Sequence, residues 1–274
     1  MSDQSIPKQP LVNNLVTEWA SIDDLLTGLG DEAWSRPSVL PGWTVRDIVA
    51  HIIGTECILS GDEAPAVGDA VADAAHVHNE IGKVNEAWVE SLRAQAPEKV
   101  HQRFREITAS RREALEAMAQ QDFDAPSWTP AGHATYARFM QIRLFDCWMH
   151  EQDIRDTVDS PGHESGPCAE AAVDEIVRAL GYIVGKRAGA PQGSTVTFEL
   201  TGPVRRTLHV EVGERAHLVE RLDGPATARL ELPSGLFTRL AGGRVIPDQQ
   251  LDRITFAGDT ELATTVARNL AYTI

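Results

Sequence analysis

RLFDCWMHEQDIRD, residues 143–156, reads as helix, yet its polar side chains do not line a solvent-facing stripe. Wound at about 100° per residue, Asp146, His150 and Asp153 fall beside Phe139 and Ile142 on one face. Ionisable groups in line with large apolar residues are costly to bury unless something pairs with them. The stretch therefore predicts a helix inside a bundle, with polar partners waiting on its neighbours.

The flanking sequence supplies those neighbours. Leu11, Leu15, Val16, Trp19, Ile22, Leu25 and Leu26 recur at helical spacing and predict a first helix over about 10–28. A turn-rich connector, GLGDEAWSRPSVLPGW, follows. Thr44 then opens a second helix, with Asp47 in capping-box position. Helical segments are predicted over about 76–95 and 98–120, broken at Pro97. PSWTPAGHATY reads as a loop, and the central helix runs from Tyr136 to Val158. The first eight residues read as a loose tail. Amphipathic helices joined in this way cover their apolar faces by bundling.

Near residue 160 the pattern changes. SPGHESGP is linker-like, and a helix is predicted from Cys168 to Lys186. STVTFELTG, RTLHVEVG, AHLVERL and TARLELP then alternate as strands do. LFTRLAGG reads as a short helix, RITFAG as a last strand and TELATTVARNLAYTI as a closing helix. Clustered strands predict an α+β domain with a mainly antiparallel sheet. The expected architecture is thus an all-helical domain over 1–160 followed by a smaller α+β domain over 161–274.

Composition narrows the function. Forty acidic against 25 basic residues give a net charge of −15, which repels nucleic acid and anionic lipid. No apolar run reaches the roughly 18–20 residues needed to span a bilayer, and MSDQSIPKQPLVNN lacks the features of a signal peptide. Three cysteines, Cys57, Cys147 and Cys168, form neither CxxC nor an even framework. That usage suits a reducing cytoplasm, the expected location. The sequence is compatible with a monomer or a homodimer.

A divalent metal would explain the opening stretch. Asp146 and His150, spaced i, i+4, project one turn apart and can chelate one ion. A third ligand should come from another helix, and His51 in LPGWTVRDIVAHIIGTE is the candidate. It flanks a stripe of Val45, Ile48, Val49, Ile52 and Ile53. Two histidines and a carboxylate would leave a coordination position open, as catalytic sites do. Spacing alone leaves an alternative: a hydrogen-bonded Asp–His pair and a satisfied core histidine. Cys147 lies about 100° from Asp146 on the wheel and reads as a small hydrophobe. His76 and His78 flank Val77 in a predicted helix and point apart, His133 lies in a loop, and His209 and His217 lie in strands. No nucleophile elbow, P-loop or dinucleotide turn is present.

LPGWTVRDIVAHI, followed about a hundred residues later by FDCWMHEQDIRD, resembles the mycothiol-dependent maleylpyruvate isomerase family. The resemblance implies a DinB-like metal-binding four-helix bundle joined to a sterol-carrier-protein-like domain. It implies His51, Asp146 and His150 as ligands of a divalent metal, zinc first, and mycothiol as cosubstrate. Asp146 departs from the glutamate of the founding isomerase. Coordination deprotonates a thiol, so the expected chemistry is thiolate attack on a small electrophile, acidic ones such as maleylpyruvate among them. Loss of the thiol after bond rotation would be cis–trans isomerisation; retention would be S-transfer. Asp153 is expected to orient an imidazole or touch the thiol cosubstrate, with a plain salt bridge as the alternative. Arg143 has the same two readings. Arg244, in LFTRLAGGRVIP, is a candidate fork for an acidic substrate group. Trp43 reads as packing rather than ligand stacking. A non-catalytic binding protein and a metal hydrolase using bound water are the rival functions.

Overall fold

Thr44 caps the helix that carries His51 with the predicted box. Asp47 N–H donates to Thr44 Oγ1 at 3.4 Å, and Thr44 N–H donates back to Asp47 Oδ2 at 2.8 Å. The computed structural model describes residues 5–66 and 77–273. Contacts divide the chain into two units, Met1–Gly162 and His163–Ile274.

In the first unit the described helices are α1 (Lys8–Thr27), α2 (Val45–Leu59), α3 (Glu80–Arg93), α4 (Pro97–Ala117), the short α5 (Gln120–Asp124) and α6 (Tyr136–Thr157). α1 packs on α4 and α6, while α2 packs on α3, α4 and α6. Leu15, Ile22, Ile48, Ile52, Phe104 and Trp148 fill the space between them. Each such side chain contributes roughly 1.5–3 kcal/mol when fully removed from water. Pro97 occupies the start of α4, where its missing N–H costs nothing. α6 is buried on nearly every side from Ala137 to Ile154. Most of its polar residues, the part-exposed Asp146 aside, therefore face protein rather than water.

Three expectations for this unit change. PSWTPAGHATY is not a loop but a hairpin, β1 (Pro126–Thr129) paired antiparallel with β2 (Gly132–Thr135). Thr129 Oγ1 ties the turn by donating to the Gly132 carbonyl at 2.8 Å and accepting from Ala131 N–H. Gly132 supplies the positive φ of 101° that the turn requires. The described part of the N-terminal tail is tied down as well. Ser5 donates to Asp124, and Gln120 donates to the Ile6 carbonyl. The third helix starts only at Glu80, capped by Asn79, so His78 precedes it, while His76 lies outside the described residues.

The second unit opens with α7 (Pro167–Tyr182), which runs on into a π-turn over Ile183–Arg187. Its sheet contains β3 (Thr195–Thr201), β4 (Arg206–Val212), β5 (Ala216–Val219), β6 (Ala228–Pro233) and β7 (Thr255–Gly258). The spatial order is β5-β4-β3-β6-β7. All neighbours are antiparallel except the central pair, β3 with β6, so the sheet is mainly antiparallel as expected. Val196, Phe198, Leu200, Leu230 and Leu232 are buried. α7, α8 (Ser234–Ala241) and α9 (Thr260–Arg268) pack against the strands. The closing helix is shorter than its apolar pattern predicts. It stops at Arg268, where the Asn269 side chain donates to Thr265, and Tyr272 N–H then donates to Ala241 on α8. Among the described residues no helix is long and apolar enough to cross a membrane.

Candidate metal centre

α2 and α6 cross in the first unit, and His51, Asp146 and His150 converge there. Each offers one ligand atom, and the three atoms all lie within 4.8 Å of one another. His51 Nε2 is 3.4 Å from Asp146 Oδ2, and His150 Nε2 is 3.5 Å from Asp146 Oδ1. The imidazole rings meet edge-on, with centroids 4.8 Å apart. Both histidines are buried, whereas the Asp146 side chain is 34% exposed, so the cluster opens on the carboxylate side.

These separations are informative. Good nitrogen-to-oxygen hydrogen bonds cluster near 2.9–3.0 Å, and both contacts here are longer. A tetrahedral ion with bonds of about 2.0–2.1 Å spaces its ligands roughly 3.3–3.4 Å apart. The donor set, two imidazoles and a carboxylate, is also the chemistry that zinc and neighbouring divalent ions accept. By spacing and donor type, the residues present fit such an ion.

His150 is oriented from behind. Its Nδ1 lies 3.0 Å from Asp153 Oδ2, and Asp153 is 1% exposed. A carboxylate there accepts a hydrogen bond from Nδ1–H and leaves the Nε2 lone pair facing Asp146. The protonation balance reflects the crowding. Burial pulls the His150 imidazole down, but the charges and hydrogen bonds of Asp146 and Asp153 outweigh it and raise its pKa above the ordinary value. His51 ends below its ordinary value, because burial exceeds what Asp146 returns. Asp146 is raised by burial, yet the charges of His150, His51 and Arg143 hold it well below the usual carboxylate range.

Around these groups lies a chain of buried charges. Arg143, 1% exposed, donates Nε to Glu56 Oε1 at 2.7 Å, Nη2 to the Ile52 carbonyl at 3.1 Å, and Nη1 to Asp146 Oδ2. Glu56 Oε2 accepts from Arg111 Nε at 3.0 Å, and Arg111 reaches the Tyr136 hydroxyl at 2.9 Å. The sequence held a trace of this arrangement. Glu56 sits one turn after Ile52 on the stripe of α2, with no basic residue three or four positions away to pair with.

Trp43 does more than close the connector. Its ring lies 5.3 Å from that of His51 and 6.2 Å from that of His150, and its N–H donates to Glu86 Oε2 at 2.9 Å. Glu86 is gripped in turn by Arg93, which also pairs with Asp47 of the α2 cap. Cys147 is fully buried and its thiol is pushed far up by burial, as a packed hydrophobe's would be. Arg244, in the second unit, donates to the Gly242 carbonyl at 2.6 Å and is half-buried. His209 meets Thr197 within the sheet.

Comparison with known proteins yields matches along most of the chain. The family model for the mycothiol maleylpyruvate isomerase N-terminal domain matches residues 15–155, and that for the C-terminal domain of the same family matches residues 170–265. Two uncharacterized proteins of Mycobacterium tuberculosis, from two strains, are each 28% identical over 151 residues, 54% of this chain and 56% of theirs. The chain thus spans about half the length of the curated relatives it matches. Two crystal structures of mycothiol-dependent maleylpyruvate isomerase, one of a mutant, share the fold. They superpose with TM-scores of 0.58 and 0.57 at 15% and 14% identity, over 92% of this chain and 93% of theirs.

Proposed function

The chain belongs to the mycothiol maleylpyruvate isomerase family, and on that premise we propose that it is a divalent-metal-dependent enzyme acting with a low-molecular-weight thiol, mycothiol. The reaction is cis–trans isomerisation of, or S-transfer to, a small electrophile, with maleylpyruvate as one candidate. The observation that carries this reading is the convergence of His51, Asp146 and His150 from two helices, with one ligand atom of each within 4.8 Å of the others.

His51, Asp146 and His150 would hold the ion, zinc first. When bound, it would hold the cosubstrate sulfur as a thiolate near neutral pH and so supply the nucleophile. The residues supply the setting. Two neutral imidazoles and one carboxylate bring a single negative charge to a doubly charged ion, leaving net positive charge that favours an anionic sulfur. Asp153 keeps the His150 proton on Nδ1. Trp43 walls the two imidazoles on one side and reduces access of water, which favours sulfur over hydroxide as nucleophile. The buried Arg143, with donors on Glu56, Ile52 and Asp146, is better suited to hold the ligand set than to touch the thiol. Arg244 is assigned to an acidic group of the substrate, a role that rests on its guanidinium chemistry.

Two measurements test the reading. Protein purified without chelators should carry close to one equivalent of metal, lost in His51→Ala and His150→Ala; a wild type still metal-free after reconstitution ends it. Metal-loaded protein should then consume electrophiles only with mycothiol present. Thiol binding without turnover would make it a binding protein, and thiol-independent turnover a hydrolase.

A further inference from the structure

We propose that Arg143 is a positioning residue that fixes how the Asp146 carboxylate is turned between His51 and His150. The inference rests on the metal reading above and extends it to residues outside the ligand set.

Asp146 is the weak member of the cluster. Its side chain is short and 34% exposed, and on its own it could turn toward water or grip an ion with both oxygens. His51 and His150 are locked by burial and, for His150, by Asp153. Arg143, one turn earlier on α6, supplies what Asp146 lacks. Its Nη1 donates to Oδ2, the oxygen that faces His51 Nε2 at 3.4 Å, and so sets Oδ1 toward His150 Nε2 at 3.5 Å. A guanidinium can do this only if it is itself immobile, because its rotamer freedom is among the largest of any side chain.

Immobility comes from four further contacts. Arg143 Nε is held by Glu56 Oε1 and Nη2 by the Ile52 carbonyl, both on α2, the helix of His51. Arg111 on α4 then closes on the other oxygen of Glu56, and Tyr136 closes on Arg111. Arg143, Glu56 and Arg111 are each almost wholly buried, so none of these charges is neutralised by water. The line Tyr136–Arg111–Glu56–Arg143–Asp146 ties α2, α4 and α6 together and ends on a ligand. A network meant only to hold the helices would have no need of its last contact, to a part-exposed carboxylate.

The test is the visible spectrum and affinity of the cobalt(II)-loaded full-length protein, compared between wild type and Arg143→Lys. A lysine ammonium keeps the charge but cannot bridge Glu56 and Asp146 in the same forked geometry. Cobalt in a four-coordinate site absorbs strongly in the visible, and higher coordination weakens the band. Release of Asp146 should let the carboxylate turn away from the imidazoles, changing the intensity of the band, and should weaken cobalt affinity by roughly 10–100-fold, the usual range for removal of a ligand's supporting partner. Glu56→Gln, which loosens Arg143 without removing it, should shift both readouts in the same direction and serves if Arg143→Lys does not fold by circular dichroism. A purely structural role predicts lower thermal stability with unchanged spectrum and affinity, and that result overturns the inference while leaving the metal reading intact. A wild type that binds no cobalt overturns both.

Discussion

Replacing Asp153 by asparagine is the sharpest perturbation of the cluster, since it changes one charge and almost no volume. Asp153 Oδ2 sits 3.0 Å from His150 Nδ1, and the carboxylate is 1% exposed. A hydrogen bond to a charged acceptor is worth about 1.5–3 kcal/mol, against about 0.5–1.5 kcal/mol for a neutral pair. The asparagine therefore withdraws about 1–1.5 kcal/mol from the His150 orientation that leaves Nε2 free to bind, even when its carbonyl faces Nδ1. That is roughly a tenfold loss in metal affinity. If the amide turns its NH2 to Nδ1 instead, the imidazole proton moves to Nε2, and His150 stops being a ligand until the amide flips back. Competition with a chromophoric zinc chelator at fixed pH measures the change, and circular dichroism checks the fold. Unchanged zinc affinity in a folded Asp153→Asn protein would refute the reasoning, because it would mean that the proton on Nδ1 is not set by this carboxylate.

Further outcomes follow from the same geometry. Metal affinity should fall with acid, and the fall should begin above pH 6.5, the ordinary imidazole value. His150, whose pKa is raised, then holds a proton that the metal must displace, about one per ion bound; His51, whose pKa is lowered, competes only at lower pH. Titration of zinc uptake against pH, with released protons measured in weak buffer, checks this. Thr44→Ala removes a side-chain acceptor at the start of α2 and should cost about 1 kcal/mol in urea unfolding. Gly54→Ala is expected to destabilise by about 1–3 kcal/mol despite alanine's better helix propensity. A Cβ there would sit 2.4 Å from Trp88 Cγ, forcing α2 away from α3. A gain in stability for Gly54→Ala would contradict that packing.

Much of the helical frame was legible because it depends on periods within one segment. Apolar spacing located α1 and α6, Pro97 marked the start of α4, and the Thr44–Asp47 pair placed the start of α2. The hairpin over Pro126–Thr135 escaped because its pairing is specified by a turn around Gly132 and a threonine side chain, not by alternating hydrophobicity. The closing helix was overlong because Leu270 and Ala271 continue the apolar pattern where the chain instead turns onto α8.

For the site the division is similar. The sequence by itself determined that Asp146, His150 and Asp153 share one face of a helix, since the α-helical period fixes which residues stack, and it put His51 on the flank of another apolar stripe. Only the tertiary structure decided which atoms meet. Whether Asp153 would face His150 or a neighbouring helix, and whether Arg143 would reach Asp146 or only form a salt bridge with a neighbouring helix, depended on how closely α2, α4 and α6 approach. That approach buried Glu56 between two arginines on different helices, Arg111 on α4 and Arg143 on α6, 55 and 87 residues away in sequence. Periodicity is local and can be read along the chain. The pairing of buried charges is a property of the crossing, because a charge removed from water must find its partner in whatever lies across from it.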